Sequence, residues 1–284
     1  MSKIHIITVS TNSKFYFPYL KESCKRNGKE MIVLGYGEQW KGLGWKFNLM
    51  KEELNKLEEN DIVCFVDGYD VICIRNLDEL KDDFIKIQRK KKCKIIVGYD
   101  NYTFSLHKTL ASRYFGCYND KLINSGTYIG YVKDIKQILS EIIVNNSEND
   151  QLLLTQYFNK NPKFFYIDKK SKFFAVVHKP LHNIDNYFQI KKNNVFYKEN
   201  RPYFVHAPAC TKLNNLLMKL NYSLNKEQIN TIDNDLKNYI ITKFIQYSQN
   251  YIYFLIILFI ILVIYFVFQK KKMLNERLGK NFNT

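Results

Sequence analysis

No two of the six cysteines in this 284-residue chain are spaced as CxxC, and none of the intervals fits a zinc ligand set. Nothing about Cys24, Cys64, Cys73, Cys93, Cys117 and Cys210 demands disulfides in a chain this long, so a reducing compartment is the simpler expectation. Cys64 lies inside an apolar run and reads as a small core residue. The opening MSKIHIITVS has no basic n-region, no apolar stretch of signal length and no small-residue cleavage site. The expectation is therefore a fold that begins at once, without a secretory signal. Internal repeats are absent. Neither GxGxxG nor GxxxxGK[ST] occurs, which disfavours dinucleotide and P-loop readings. Acidic residues are scarce, 27 against 43 basic, for a net charge of +16. That surplus is mostly Lys spread along the chain, not gathered with stacking aromatics on one element, so no nucleic-acid partner is expected.

What is present is the composition of a globular protein, 46% hydrophobic and 25% charged. Short β-rich runs at 4–9, 31–34, 62–66, 94–97, 127–132, 173–177 and 203–206 alternate with helical patterns. The helical patterns cover 18–26, 45–59, 77–89, 134–144 and 150–158. Such alternation predicts an α/β domain whose sheet is largely parallel in its N-terminal half. The domain is placed at 1–224, with a helical stalk or linker at 225–250. Residues 251–268, YIYFLIILFIILVIYFVF, carry no charge. As a helix they would rise ~27 Å, close to the thickness of a bilayer's hydrocarbon core. Tyrosines near both ends and Lys270, Lys271 and Lys272 just beyond them predict a single transmembrane anchor followed by a basic tail at 269–284.

The sharpest chemical signal is NDIVCFVDGYDVI at 60–72, an apolar strand that ends in Asp67, Gly68, Tyr69 and Asp70. Ligands of open α/β sheets bind beyond the carboxyl ends of the strands, where both carboxylates would face them. Oxygen-rich sites there suit Mg²⁺ or Mn²⁺ completed by substrate phosphates; an ordinary strand-end turn is the alternative. Thr8 to Thr11 offer hydroxyls at the same edge of the sheet. LGYGEQWKGLGWK at 34–46 could cradle a phosphate or stack on a base. NSGTYIGYV at 124–132 places small residues just before a β-rich run, as close approach of a ligand would require. Asp150 opens a helix and could act on substrate or simply serve the helix N-terminus. His206 ends a strand and Lys212 follows six residues later, a candidate third metal ligand and a candidate phosphate partner.

Taken in order, these residues resemble the glycosyltransferase domain of the lysyl hydroxylases, the procollagen-lysine dioxygenases. The resemblance runs from about Lys3 to Leu220 and rests on ITVST, GYGEQW, Lys46, DGYD, SGTYIGY, DQLLLTQYF and HAPACTK. It implies a GT-A fold, Rossmann-like with a mostly parallel sheet, a UDP-sugar donor and Mn²⁺. It also implies that Asp67, Asp70 and His206 ligate the metal, that Thr8, Trp40, Lys46 and Tyr69 lie around the nucleotide, and that Lys212 meets the diphosphate. Asp150 matches an acid the family needs for sugar transfer. The sequence departs from the family at Asn149, where a paired acid is usual. It departs again at Ala207, Pro208 and Ala209, where the family has a turn containing Gly and Asn. No dioxygenase region is expected after the anchor. The expected reaction is hexosyl transfer, of glucose or galactose, to a hydroxyl, plausibly on hydroxylysine or galactosylhydroxylysine of a collagen-like polypeptide. The alternative is a membrane-anchored nucleotide-sugar-binding protein of the same fold without turnover.

Two signals conflict on topology. The absent leader leaves the catalytic domain cytosolic, whereas the tail's net +4 favours a cytosolic tail under the positive-inside tendency. The absent leader is given more weight. Cytosolic placement predicts that the sequons at Asn101, Asn145 and Asn221 stay unmodified in a eukaryotic cell, and that protease added to intact microsomes digests the domain. Glycan at any of them, read by a mobility shift on deglycosylation, would reverse the orientation.

Overall fold

The computed structural model describes residues 2–100, 105–116, 121–192, 194–239 and 241–242. The first half alternates as expected: β1 (Ile4–Val9), α1 (Phe17–Arg26), β2 (Met31–Leu34), α2 (Trp45–Leu54), β3 (Ile62–Val66), β4 (Val71–Cys73), α3 (Leu80–Lys91) and β5 (Ile95–Tyr99). After them come α4 (Ser105–Phe115), β6 (Ile123–Tyr131), α5 (Val132–Glu141), α6 (Asp150–Lys160), β7 (Phe165–Asp168) and β8 (Phe174–Val176). The last elements are β9 (Phe188–Lys191), β10 (Asn194–Tyr197), β11 (Phe204–His206) and α7 (Asn214–Lys219).

Six strands form the main sheet in the order β2-β1-β3-β6-β5-β7. It is mostly parallel: β1 runs with β2 and β3, and β5 runs with β7, while β6 runs against both β3 and β5. Period-2 alternation sends the side chains of each strand to opposite layers. Val63 and Phe65 of β3 join Phe47 and Met50 of α2, Ile135 and Ile138 of α5 and Leu154 of α6. Ile62, Cys64 and Val66 join Leu20 of α1, Phe84 of α3 and residues of a second sheet, β4-β11-β8, on the other face. Cys64 is fully buried, as its apolar surroundings suggested. A helix-sheet-helix sandwich with both faces covered is what continuous apolar strands such as IVCFV require.

Three differences from the sequence reading bear on the site. β6 begins at Ile123, so Asn124, Ser125 and Gly126 lie inside the strand and not before it. The helix expected over 45–59 stops at Leu54, where Asn55 caps it and the chain turns back through Lys56 N–H to the Glu53 carbonyl. The three residues of β4 are too few to leave a periodic signal. They nevertheless hold β11, with Val71 paired to His206.

The chain divides into compact units at 1–232 and 233–284. Within the first, residues 226–232 are helical, and within the second 233–239 and 241–242 are helical. The span expected at 251–268 and the basic tail lie outside the described residues; among the described residues no helix is long and apolar enough to cross a membrane.

The two ends of the first unit are joined by the fully buried Tyr16. Its hydroxyl donates to Asn214 Oδ1 at 2.8 Å and accepts from the Leu213 N–H at 3.0 Å. Tyr16→Phe removes both bonds and leaves a buried amide unpaired. It is expected to lower the unfolding free energy by about 1–3 kcal/mol in urea denaturation, with the m-value unchanged.

Candidate active site

The reversed direction of β6 is what builds the site. Because it opposes β3, its first residues lie beside the carboxyl end of β3, and the Asp67 N–H donates to the Gly126 carbonyl at 2.8 Å. Against β5 its register slips. Val97 faces Tyr128 and Gly98 faces Asn124, so Ser125, Gly126 and Thr127 have no partner on that side. The bulge turns Asn124 and Gly126 toward the strand-end acids.

Asp67 and Asp70 stand at the two ends of the DGYD turn. Gly68 between them has an ordinary negative φ, so the turn does not need glycine for its backbone. It needs glycine for space: a Cβ there would lie 2.5 Å from the Val9 carbonyl oxygen and 3.2 Å from Thr8 Oγ1. β4 then leads away from Asp70, and its antiparallel pairing with β11 returns His206 to the same point, with the Ala207 N–H bonded to the Asp70 carbonyl at 2.8 Å. His206 Nε2 is 3.2 Å from Asp70 Oδ1 and 3.8 Å from Asp67 Oδ2. One ligand atom from each of the three residues fits within 4.8 Å.

His206 is 2% exposed. Its Nδ1 donates to Asn124 Oδ1 at 3.0 Å, since an amide oxygen only accepts. That leaves Nε2, buried and without a hydrogen-bond partner, aimed at the carboxylates. An orphaned imidazole lone pair between two acids fits a divalent metal. A mixed oxygen and imidazole set suits Mn²⁺ better than Mg²⁺ or Ca²⁺. Burial works against the imidazolium, but Asp70 outweighs it and lifts the ring's pKa above its usual value. Burial likewise works against the Asp70 carboxylate, and His206 outweighs it and holds Asp70 below the usual range.

Beside the triad, Lys46 of α2 is 7% exposed, with Nζ 2.9 Å from Asp67 Oδ1 and 2.8 Å from Asp150 Oδ2. Burial alone would favour the neutral amine; the carboxylates of Asp150 and Asp67 more than offset it and keep the ammonium charged. The N-cap of α6 is Asn149, whose Oδ1 accepts from the Leu152 N–H at 3.0 Å, and Asp150 follows as the acid of the first turn. Asp150 is free of capping and turns, 3% exposed, to Lys46.

The remaining expected residues are distributed differently. Thr8 is fully buried under Gly68, and its hydroxyl has no partner among the described residues. Tyr69 is half-buried; its hydroxyl accepts from the Thr11 N–H at 2.9 Å, and its ring meets Phe15 edge-on. Trp40 is 41% exposed in the loop before α2 and packs edge-on against Trp45. That loop is docked on the approach to α6, with the Trp45 N–H donating to the Asn146 carbonyl at 3.2 Å. Lys212 is anchored through its backbone, N–H to the His182 carbonyl at 2.9 Å. Lys46, expected around the nucleotide, stands between two acids.

A family model described as the PLOD GT domain matches residues 1–246. The chain belongs to that family. Procollagen-lysine,2-oxoglutarate 5-dioxygenase of Drosophila melanogaster is 30% identical to it over 191 residues, 62% of this chain and 26% of that protein. Human multifunctional procollagen lysine hydroxylase and glycosyltransferase LH3 is 27% identical over 239 residues, 78% of this chain and 31% of that protein. The chain thus spans less than a third of the length of these curated relatives. A solved glycosyltransferase involved in glycosylation of the major capsid of PBCV-1 covers 77% of this chain and 98% of its own, at 13% identity and a TM-score of 0.47, a likeness too loose to carry an argument.

Membership makes this a glycosyltransferase domain of the PLOD type, in which Asp67, Asp70 and His206 are drawn together. Sequence reasoning missed Asp100 and His178, which carry no motif, and saw in Asn124 and Gly126 only smallness. Gly126 is under a tight steric constraint beside the acids. A Cβ there would fall 2.3 Å from Asp67 Oδ2 and 2.7 Å from His206 Cε1. Gly126→Ala is expected to push these two side chains apart; under the metal reading, Mn²⁺ affinity falls by about tenfold or more, read by electron paramagnetic resonance of free Mn²⁺. Thermal unfolding should stay cooperative.

Proposed function

We propose that the chain transfers a hexosyl group from a UDP-sugar to a hydroxyl in a metal-dependent reaction, on a GT-A fold. The observation that carries this reading is the triad itself: Asp67, Asp70 and the buried, unpartnered Nε2 of His206 converge at the carboxyl edge of the sheet. Asp150 is held within one side chain's reach through Lys46.

In the reaction the bond from the sugar's anomeric carbon to the diphosphate oxygen breaks, a bond to the acceptor oxygen forms, and the acceptor's proton is lost. A divalent cation held by the triad would act as a Lewis acid on the charge that builds on the departing diphosphate. Lys46 fixes Asp67 and Asp150 in one geometry and balances their charge before substrate arrives. Asp150 is assigned to the transferring sugar, Tyr69 and Trp40 to the nucleotide base and its approach, and Lys212 to the diphosphate. The acceptor class is hydroxylysine or galactosylhydroxylysine in collagen-like chains, a reading supported by relatives named for procollagen lysine. A C-terminal membrane anchor belongs to the same proposal and rests on the uncharged residues 251–268.

The full chain, offered several UDP-sugars, is expected to release UDP only with Mn²⁺. Asp67→Asn and Asp70→Asn should each reduce that release by about 100-fold or more, the scale of losing one main electrostatic stabiliser. Asp150→Ala should retain calorimetric binding of UDP with Mn²⁺ yet lose transfer. Binding of UDP with no turnover of any donor by the parent protein would favour the non-catalytic alternative.

A further inference from the structure

Behind the triad lies a second polar cluster that makes none of the candidate metal contacts. Asp100, at the end of β5, is 1% exposed. Its Oδ2 accepts from Gln151 Nε2 at 2.9 Å, and its Oδ1 accepts from Asn124 Nδ2 at 3.4 Å and closely from His178 Nε2. Its own N–H is spent on the Leu122 carbonyl at 3.1 Å. Donors reach it from β6, from α6 and from the segment after β8.

The consequence lies in the amide of Asn124, which is 3% exposed. An amide has one accepting and one donating end, and it can be turned over without changing shape. With Nδ2 committed to Asp100, Oδ1 must face the other way. There it accepts from His206 Nδ1 at 3.0 Å and from Thr127 Oγ1 at 3.3 Å. Turned over, the amide would set oxygen against the Asp100 carboxylate, acceptor against acceptor, and would offer N–H to His206 Nδ1. The imidazole proton would then move to Nε2, the nitrogen that faces Asp67 and Asp70, and Nε2 could no longer ligate a metal.

We infer that Asp100 is a positioning residue that fixes the orientation of Asn124 and, through it, the His206 tautomer with its lone pair on Nε2. The inference rests on the metal reading of the triad. Gln151 extends the arrangement, since it follows Asp150 and ties the first turn of α6 to the same carboxylate. His178 fills the remaining side of Asp100, so the acid is oriented by two donors that are independent of Asn124. Outer partners of this kind hold a metal-ligating histidine in one tautomer and typically change metal affinity by about 10–100-fold when removed.

The test uses the full chain with ¹⁵N-labelled histidine, at a pH where the His206 ring is neutral, with its signal assigned by His206→Gln. The parent is expected to carry the proton on Nδ1. Asp100→Asn, which is isosteric, and Asn124→Leu should each move the proton toward Nε2 and weaken Mn²⁺ binding by about 10–100-fold. The swapped pair Asp100→Asn with Asn124→Asp exchanges donor and acceptor across the same contact and again presents an accepting oxygen to His206. It should restore the Nδ1 proton and most of the Mn²⁺ affinity, which a merely structural role for Asp100 would not do. Unchanged tautomer and Mn²⁺ affinity within about twofold in both single variants would overturn the inference, as would a folded swapped pair that recovers neither. Failure of the parent itself to bind Mn²⁺ would overturn the metal reading instead, and the tautomer measurement would still decide the inference because it needs no metal.

Discussion

Lys46 brings together three stretches of chain that are far apart in sequence. Its ammonium lies 2.9 Å from Asp67 at the end of β3 and 2.8 Å from Asp150 at the start of α6, while its own backbone belongs to α2. Each of these charges would resist burial alone. Together they are tolerated, because one cation is shared by two acids and its pKa is raised despite the loss of water. Removing the ammonium would leave two carboxylates facing one another in a poorly solvated place. The position of Asp67, and with it one arm of the candidate metal site, therefore depends on α2, β3 and α6 docking together.

A second constraint comes from strand direction. A wholly parallel sheet would leave the start of β6 at the far edge, away from the acids. Because β6 runs backwards between β3 and β5, its small residues arrive at the carboxyl edge, and the bulge at Ser125 to Thr127 gives Asn124 and Gly126 the depth to touch His206 and Asp67. The short β4 works in the same way. It pairs antiparallel with β11 and so sets residue 206 beside residue 70. Register here is decided by backbone hydrogen bonds, and a slip of one residue would turn His206 to the opposite face.

The departures from the family pattern find physical places. Asn149, where the resemblance led to a paired acid being expected, caps α6, and Asp150 faces Lys46. In the turn after His206, Ala209 and Cys210 take left-handed φ values of 56° and 59° without the relief glycine would give. Thr211 braces that turn: its Oγ1 donates to the Pro208 carbonyl at 2.7 Å and accepts from the Lys179 N–H at 2.8 Å.

Periodicity placed β1, β2 and β3 at their observed bounds, because each is a β-rich run bounded by polar or turn residues, and β3, buried throughout, carries the continuous apolar signature of burial on both faces. The candidate grouping of Asp67, Asp70 and His206 was legible for a related reason: all three sit at strand ends, where composition changes abruptly. The role of Lys46 was not, since a lysine in an amphipathic helix looks the same whether it meets water, phosphate or two buried acids. Nor were Asp100 and His178, 78 residues apart and carried by no pattern. The sequence by itself determined the longer strands and helices of the N-terminal half and which residue types stand at the sheet's carboxyl edge, because those depend on near neighbours along the chain; β4, α4, β7, β9, β10 and α7 left no such signal. Only the tertiary structure decided that Asn124 turns its oxygen to His206, that Gly126 must lack a side chain and that Lys46 lies between two acids. Those choices follow from the reversed strand and from buried polar groups, each of which must find its partner across the fold.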